Sequence, residues 1–174
     1  MAKVGVIGAG SWGTALAKVL HTNGNAVTIW SIVEAEIAML QANHEHLEKL
    51  PGVKLSEDMV FTTDMKEAVE GKEYLILAVP SVFTRSTAKL MAPYVTEGQV
   101  IVCVAKGIEE ATLMTITDIV EEEIPAAEVS VMCGPSHAEE VGRELPTTVV
   151  AGAHKQAVAE GIQDIFMNEV FRVL

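Results

Sequence analysis

The sequence predicts an α/β domain built on a mostly parallel, doubly wound sheet with helices on both faces, in three layers. Three observations carry this. Strand-like and helix-like segments alternate along the whole chain. Several strand-like runs are apolar without interruption, as expected when both faces of a sheet are covered. The first strand runs straight into a G-x-G-x-x-G turn that opens an apolar helical face.

The first strand is Lys3–Ile7, and Gly8, Gly10 and Gly13 follow it. Gly8 permits the tight turn, Gly10 lets backbone approach a pyrophosphate, and Gly13 lets the helix pack closely on the strand. Ala15, Leu16, Val19 and Leu20 form one face of a helix over Thr14–Thr22, and Asn23-Gly24 stops it. The first amides of that helix are unpaired and its dipole favours an anion. The chain therefore opens with a dinucleotide site.

Further strands are expected at 26–30, 60–62, 74–79, 100–105, 129–133 and 147–151. Helices are expected at 33–43, 65–69, 84–94, 113–122, 138–143 and 155–168. Asp64-x-x-Glu67 and Ser136-x-x-Glu139 match capping boxes. His44 to Glu57 reads as a loop. Its His44-Glu45-His46 is taken as a solvated helix end, because no third metal ligand is near, and Glu121-Glu122-Glu123 is read the same way. Glu169 to Leu174 reads as a strand on which the chain stops, as in a domain cut from a longer protein.

At 174 residues the chain is one domain, residues 1–174. Apolar residues make up 49% and aromatics only 5%, so the core is aliphatic. A net charge of −12 argues against nucleic acid and against anionic membrane surfaces. The longest apolar runs, Leu75 to Pro80 and Val100 to Ala105, fall far short of the ~18 residues of a membrane helix. Glycines interrupt the N-terminal apolar stretch too early for a signal peptide, so a cytoplasmic location is expected. Cys103 and Cys133 lie inside apolar runs and read as buried free thiols, with neither metal nor disulfide spacing.

In a doubly wound sheet, ligands sit outside the carboxyl ends of the strands. The segments there are 8–13, 31–34, 80–83, 106–107 and 134–137. Lys106, followed by Gly107, places a cation outside a buried strand, where it can neutralise a carbonyl or phosphate oxygen. Ser136 reads as a helix cap, Gly134 as a point of close backbone approach, and His137 as a solvent-facing residue at a helix start. Trp12, inside the glycine loop, is read as a flat wall over a nicotinamide rather than a core anchor.

Residues 6–17, 77–81, 104–109 and 133–138 together resemble the N-terminal, Rossmann-type domain of NAD(P)-dependent glycerol-3-phosphate dehydrogenases of the bacterial type. Gly10-Ser11-Trp12-Gly13-Thr14-Ala15 and Gly134-Pro135-Ser136-His137-Ala138 are the specific segments. The resemblance implies an oxidoreductase moving a hydride between NAD or NADP and the pair dihydroxyacetone phosphate and sn-glycerol 3-phosphate. It places Gly8, Gly10, Ser11, Trp12, Gly13, Ile32, Val33, Pro80, Lys106 and Ala138 at the cofactor, and Lys106, Gly134 and Ser136 at the phosphorylated triose, with Lys106 as the catalytic residue of this domain. No metal is implied, and a homodimer of the full-length protein is compatible with it. The family carries Trp-x-Arg after its second strand, whereas this chain reads Trp30-Ser31-Ile32-Val33, with neither cation nor acid at the strand end. NAD and NADP therefore both stay open. The family's proton-transfer lysine lies in a helical C-terminal domain beyond Leu174, so the isolated chain is expected to bind cofactor and turn over little. The alternatives are a β-hydroxyacid type of dehydrogenase on the same scaffold, a non-catalytic module that senses redox state, and a structural domain with little ligand affinity.

Overall fold

The strands of the computed structural model, which describes residues 1–174, are β1 (Lys3–Ile7), β2 (Ala26–Trp30), β3 (Val60–Thr62), β4 (Tyr74–Leu77), β5 (Val100–Cys103), β6 (Glu128–Cys133), β7 (Thr147–Ala153) and β8 (Phe171–Val173). They form one sheet in the order β3-β2-β1-β4-β5-β6-β7-β8. Pairing is parallel from β3 through β6, β7 turns antiparallel to β6, and β8 runs parallel to β7. The chain winds outward from β1 through β2 to β3, then crosses back to β4 and winds the other way. The reversal opens a crevice at the carboxyl ends of β1 and β4.

The helices are α1 (Ser11–Thr22), α2 (Glu34–Asn43), α3 (Met65–Val69), α4 (Thr84–Met91), α5 (Ile116–Glu123), α6 (Ala138–Gly142) and α7 (Gln156–Phe166). Alternate residues of the central strands feed two separate cores. Val4, Val6, Ile76 and Val102 pack with Leu16, Leu20, Val141 and Ile162 on one face. Ile7, Leu75, Leu77, Ile101 and Cys103 pack with Ala68, Met91 and Val120 on the other. Both faces being covered is why these strands read as continuous apolar runs. No helix is long and apolar enough to cross a membrane.

Several expectations are corrected. The first helix begins at Ser11, inside the glycine motif rather than after it. The fifth begins at Ile116, where Thr115 and Asp118 make a full capping box. Leu113, the expected start, has φ 61° and lies outside the helix. Ser136 does not cap α6: the cap position is His137, and Ser136 Oγ donates back to the Gly134 carbonyl at 3.3 Å. Asp64 does cap α3, accepting from the Lys66 amide at 2.9 Å. Cys103 is buried, but Cys133 is exposed because the outer face of β6 carries no helix over its end. Burial pushes the Cys103 thiol up to about 12.

The stretch after α2 is not a solvated helix end. His46 is fully buried and Glu45 nearly so. Glu45 accepts from the Gly52 amide at 2.6 Å and pairs with Lys54 at 2.5 Å, which ties the 44–54 loop into a closed turn. The acidic run at the end of α5 is exposed at Glu121 and Glu122, as expected of a solvated helix end, but it also pairs with distant cations. Glu122 and Glu123 both hold the Arg85 guanidinium, and Glu121 meets His154.

Candidate functional site

The glycine turn after β1 has the geometry of an anion cradle. Gly8 sits at φ +121°, which L side chains rarely adopt, and its amide donates to the Trp30 carbonyl at 2.9 Å. A Cβ on Gly13 would lie 2.1 Å from the Gly8 carbonyl oxygen, so α1 is seated directly on the turn. A Cβ on Gly10 would meet nothing within 4 Å. That open space lies in front of the first turn of α1, which has no side-chain cap and no acidic residue. The leading amides of the helix are therefore free to bind an anion. The residues present fit a pyrophosphate.

This cradle forms one wall of a cleft of about 440 Å³. Gly10, Ser11 and Trp12 face Pro80 and Ser81 after β4, Ala105 and Lys106 after β5, and Ser136, His137 and Ala138 at the start of α6. Residues from four strand exits thus meet in one place. Lys106 reaches across from β5, and its Nζ donates to the Gly134 carbonyl at 3.0 Å. The side chain is exposed and lines the cleft. Trp12 is half-buried and does two jobs: it lines the cleft and also packs against the larger core. His137 and Glu139 are titratable groups on the same wall that the site assignment omits.

Ile32 and Val33 are not on this wall. They follow β2 on the far side of the glycine turn and are exposed by 70% and 47%. Gly134 is pinned by β7: its Cβ would lie 2.8 Å from the Thr148 carbonyl, so its small size serves strand packing as well as access.

The Lys106 loop is anchored from behind. Gly107 has φ +145°, and a Cβ there would fall 2.8 Å from Ser81. Two residues on, Glu109 receives a two-pronged pair from Arg85, Nε to Oε1 at 2.8 Å and Nη2 to Oε2 at 2.7 Å. Arg85, with Thr112, holds the Glu109 carboxyl down at about 2. Its value is below the ordinary 4.5, so its contribution is present above pH 4.5 and lost as pH falls toward 2. The stability deficit of Glu109→Gln should accordingly be largest above pH 5 and close as pH drops through this window, about one unit per side. Urea midpoints of both proteins across the acid range check this, and a deficit independent of pH is the contrary result.

A second concavity, of about 320 Å³, lies between α1, α6 and the turn before β8. Its cation is already engaged, since Lys18 bonds the Gly142 carbonyl and pairs with Glu144.

A sequence-family model described as NAD-dependent glycerol-3-phosphate dehydrogenase N-terminus matches residues 3–159. The NAD(P)+ glycerol-3-phosphate dehydrogenase of Agathobacter rectalis is 70% identical over 173 residues, covering 99% of this chain and 52% of that protein. The Bacillus subtilis protein of the same name is 46% identical over 176 residues, covering 99% and 51%. The crystal structure of glycerol-3-phosphate dehydrogenase from Coxiella burnetii matches with a TM-score of 0.94 at 28% identity, covering 99% of this chain and 53% of that one. GDP-mannose dehydrogenase from Pseudomonas aeruginosa shares the fold alone, with a TM-score of 0.79 at 13% identity. The chain spans about half the length of the curated relatives it matches.

Proposed function

The chain belongs to the family of NAD-dependent glycerol-3-phosphate dehydrogenase N-terminal domains, and on that premise we propose that it holds a nicotinamide dinucleotide against Gly10 to Gly13 with the nicotinamide end beside Lys106. The observation that carries this reading is the uncapped α1 N-terminus opening into a cleft that also contains the Lys106 ammonium. When bound, the cofactor supplies or accepts the hydride that interconverts dihydroxyacetone phosphate and sn-glycerol 3-phosphate.

In this reading, Gly8 and Gly13 lock the turn, and the amides of Ser11, Trp12 and Gly13 hold the pyrophosphate. Trp12, Pro80 and Ala138 line the nicotinamide end, and Ile32 and Val33 flank the adenosine end. Lys106 polarises the substrate oxygen, with its Gly134 contact fixing the ammonium in place. Gly134 and Ser136 present polar backbone and hydroxyl to the triose phosphate. In this reading the proton is transferred by a group that residues 1–174 do not supply. The proposed setting is the cytoplasm, where both free thiols stay reduced. The match to the family model favours this reading over a β-hydroxyacid enzyme or a redox sensor.

Titration of the chain with NADH, followed by Trp fluorescence, tests it. Saturable binding is expected, strengthened by dihydroxyacetone phosphate, and Lys106→Met should remove that strengthening. Turnover by the chain alone should stay about 10²–10⁴-fold below that of a longer relative, the usual loss for a missing general acid. NADH binding that ignores the triose phosphate would overturn the substrate assignment, and no binding would overturn the whole.

A further inference from the structure

We infer that this site takes NAD(H) and disfavours NADP(H), and that the Ser31–Glu36 pair behind the end of β2 sets the preference. The inference rests on the dinucleotide reading above and concerns its adenosine end.

The geometry places that end. The Gly8 amide bonds the Trp30 carbonyl, so the exit of β2 lies against the glycine turn. With a pyrophosphate on α1, the adenosine ribose comes over this exit. A carboxylate about 20 residues past the glycine motif is the usual partner of a free ribose 2′-hydroxyl, whereas a nearby Arg accommodates a 2′-phosphate.

At this exit, cations are absent or already used. No Lys or Arg occurs from Ser31 to Glu48. Ser31 is buried; its hydroxyl donates to Glu36 Oε2 at 2.7 Å and accepts from the Val33 amide at 3.1 Å. The other Glu36 oxygen takes the Lys49 ammonium, and His46 Nε2 lies 3.4 Å from it. His46 Nδ1 accepts the Lys49 amide at 3.2 Å, which turns Nε2 toward Glu36. Lys49, the first Lys or Arg after β2, is thus committed to Glu36. Burial alone would push the Glu36 carboxyl up, but Lys49, Ser31 and His46 hold it below its ordinary value, and it stays ionised at neutral pH.

Glu34 adds a second carboxylate, exposed at the first residue of α2. Helix amides at this end would attract an anion, but Glu34 and Glu36 both stand in the first turn and oppose one. A 2′-phosphate brings about two negative charges into this setting and finds no unpaired cation. A 2′-hydroxyl is neutral and meets no such opposition.

The test compares NADH with NADPH on the full 174-residue chain by fluorescence titration. NADPH should bind roughly tenfold or more weakly, and added salt should narrow the gap, because the discrimination is electrostatic. Val33→Arg, at a half-exposed position, should tighten NADPH and collapse the ratio. Ile32→Arg, at a more exposed position, is the second variant should the first misfold. Saturable NADH binding with NADPH equal or tighter overturns this inference alone. Binding of neither overturns the dinucleotide reading and this inference with it.

Discussion

Replacing Gly13 by alanine should weaken NADH binding by about 100-fold and lower the melting temperature at the same time. The new Cβ would lie 2.1 Å from the Gly8 carbonyl oxygen, a backbone atom held by the φ +121° turn. Nothing flexible can yield, so α1 must lift off the turn. The intrinsic gain of alanine over glycine inside a helix, about 1 kcal/mol, opposes the change. The overpacking penalty of about 1–3 kcal/mol or more outweighs it. The displaced atoms are the amides proposed to hold the pyrophosphate, and a misplacement of about 1 Å in such a site costs on the order of 10²-fold. Gly10→Ala is the matched control. Its Cβ meets nothing within 4 Å, so the fold should keep its melting temperature while the filled cradle loses affinity. Thermal unfolding and NADH titration of both variants decide the matter. A Gly13→Ala protein that binds normally would show that the helix seat is unimportant.

The second large effect falls at a glycine outside the motif. Gly5 lies in the middle of β1, and a Cβ there would come 2.1 Å from the Ala68 carbonyl of α3. Leu75 Cδ2, at 3.0 Å, could rotate away, but the carbonyl cannot. Gly5→Ala should therefore push α3 from the sheet at the upper end of the overpacking range, about 3 kcal/mol. At about 2–4 °C per kcal/mol for a chain of this size, the melting temperature should fall by several degrees. NADH affinity of the folded fraction should change little, since the strain enters on the face opposite α1. The two alanine variants thus share one clash distance and separate by where the displaced helix lies. Equal loss of NADH binding in both would argue that the two faces are mechanically coupled.

The two glycines also mark how far the sequence could be read. Gly13 is announced by its spacing from Gly8 and Gly10 and by the strand before it. Gly5 looks like any small residue in an apolar strand, because its constraint comes from α3, more than sixty residues along the chain. Lys106 was legible as a cation following a buried run, and its Gly134 contact fits the expected crossing of adjacent strand exits. The Arg85 cluster was not legible. Its partners Glu109, Glu122 and Glu123 come from separate segments, and the acidic run looks solvated when read alone. No local signal could have exposed it, because residues 74–96 around Arg85 contain no Asp or Glu.

Local chemistry on its own determined the alternation of elements, the glycine turn and the list of strand exits. Apolar periodicity, backbone freedom and capping act within a few residues and can be read in order. Contacts between distant segments decided the rest: Ser136 turned to Gly134 instead of capping a helix, Cys133 was left bare at the sheet's outer side, and His46 and Lys49 closed on Glu36. Burial and pairing depend on which elements the winding of the sheet brings side by side, and that neighbour relation is not written in the spacing of residues along the chain.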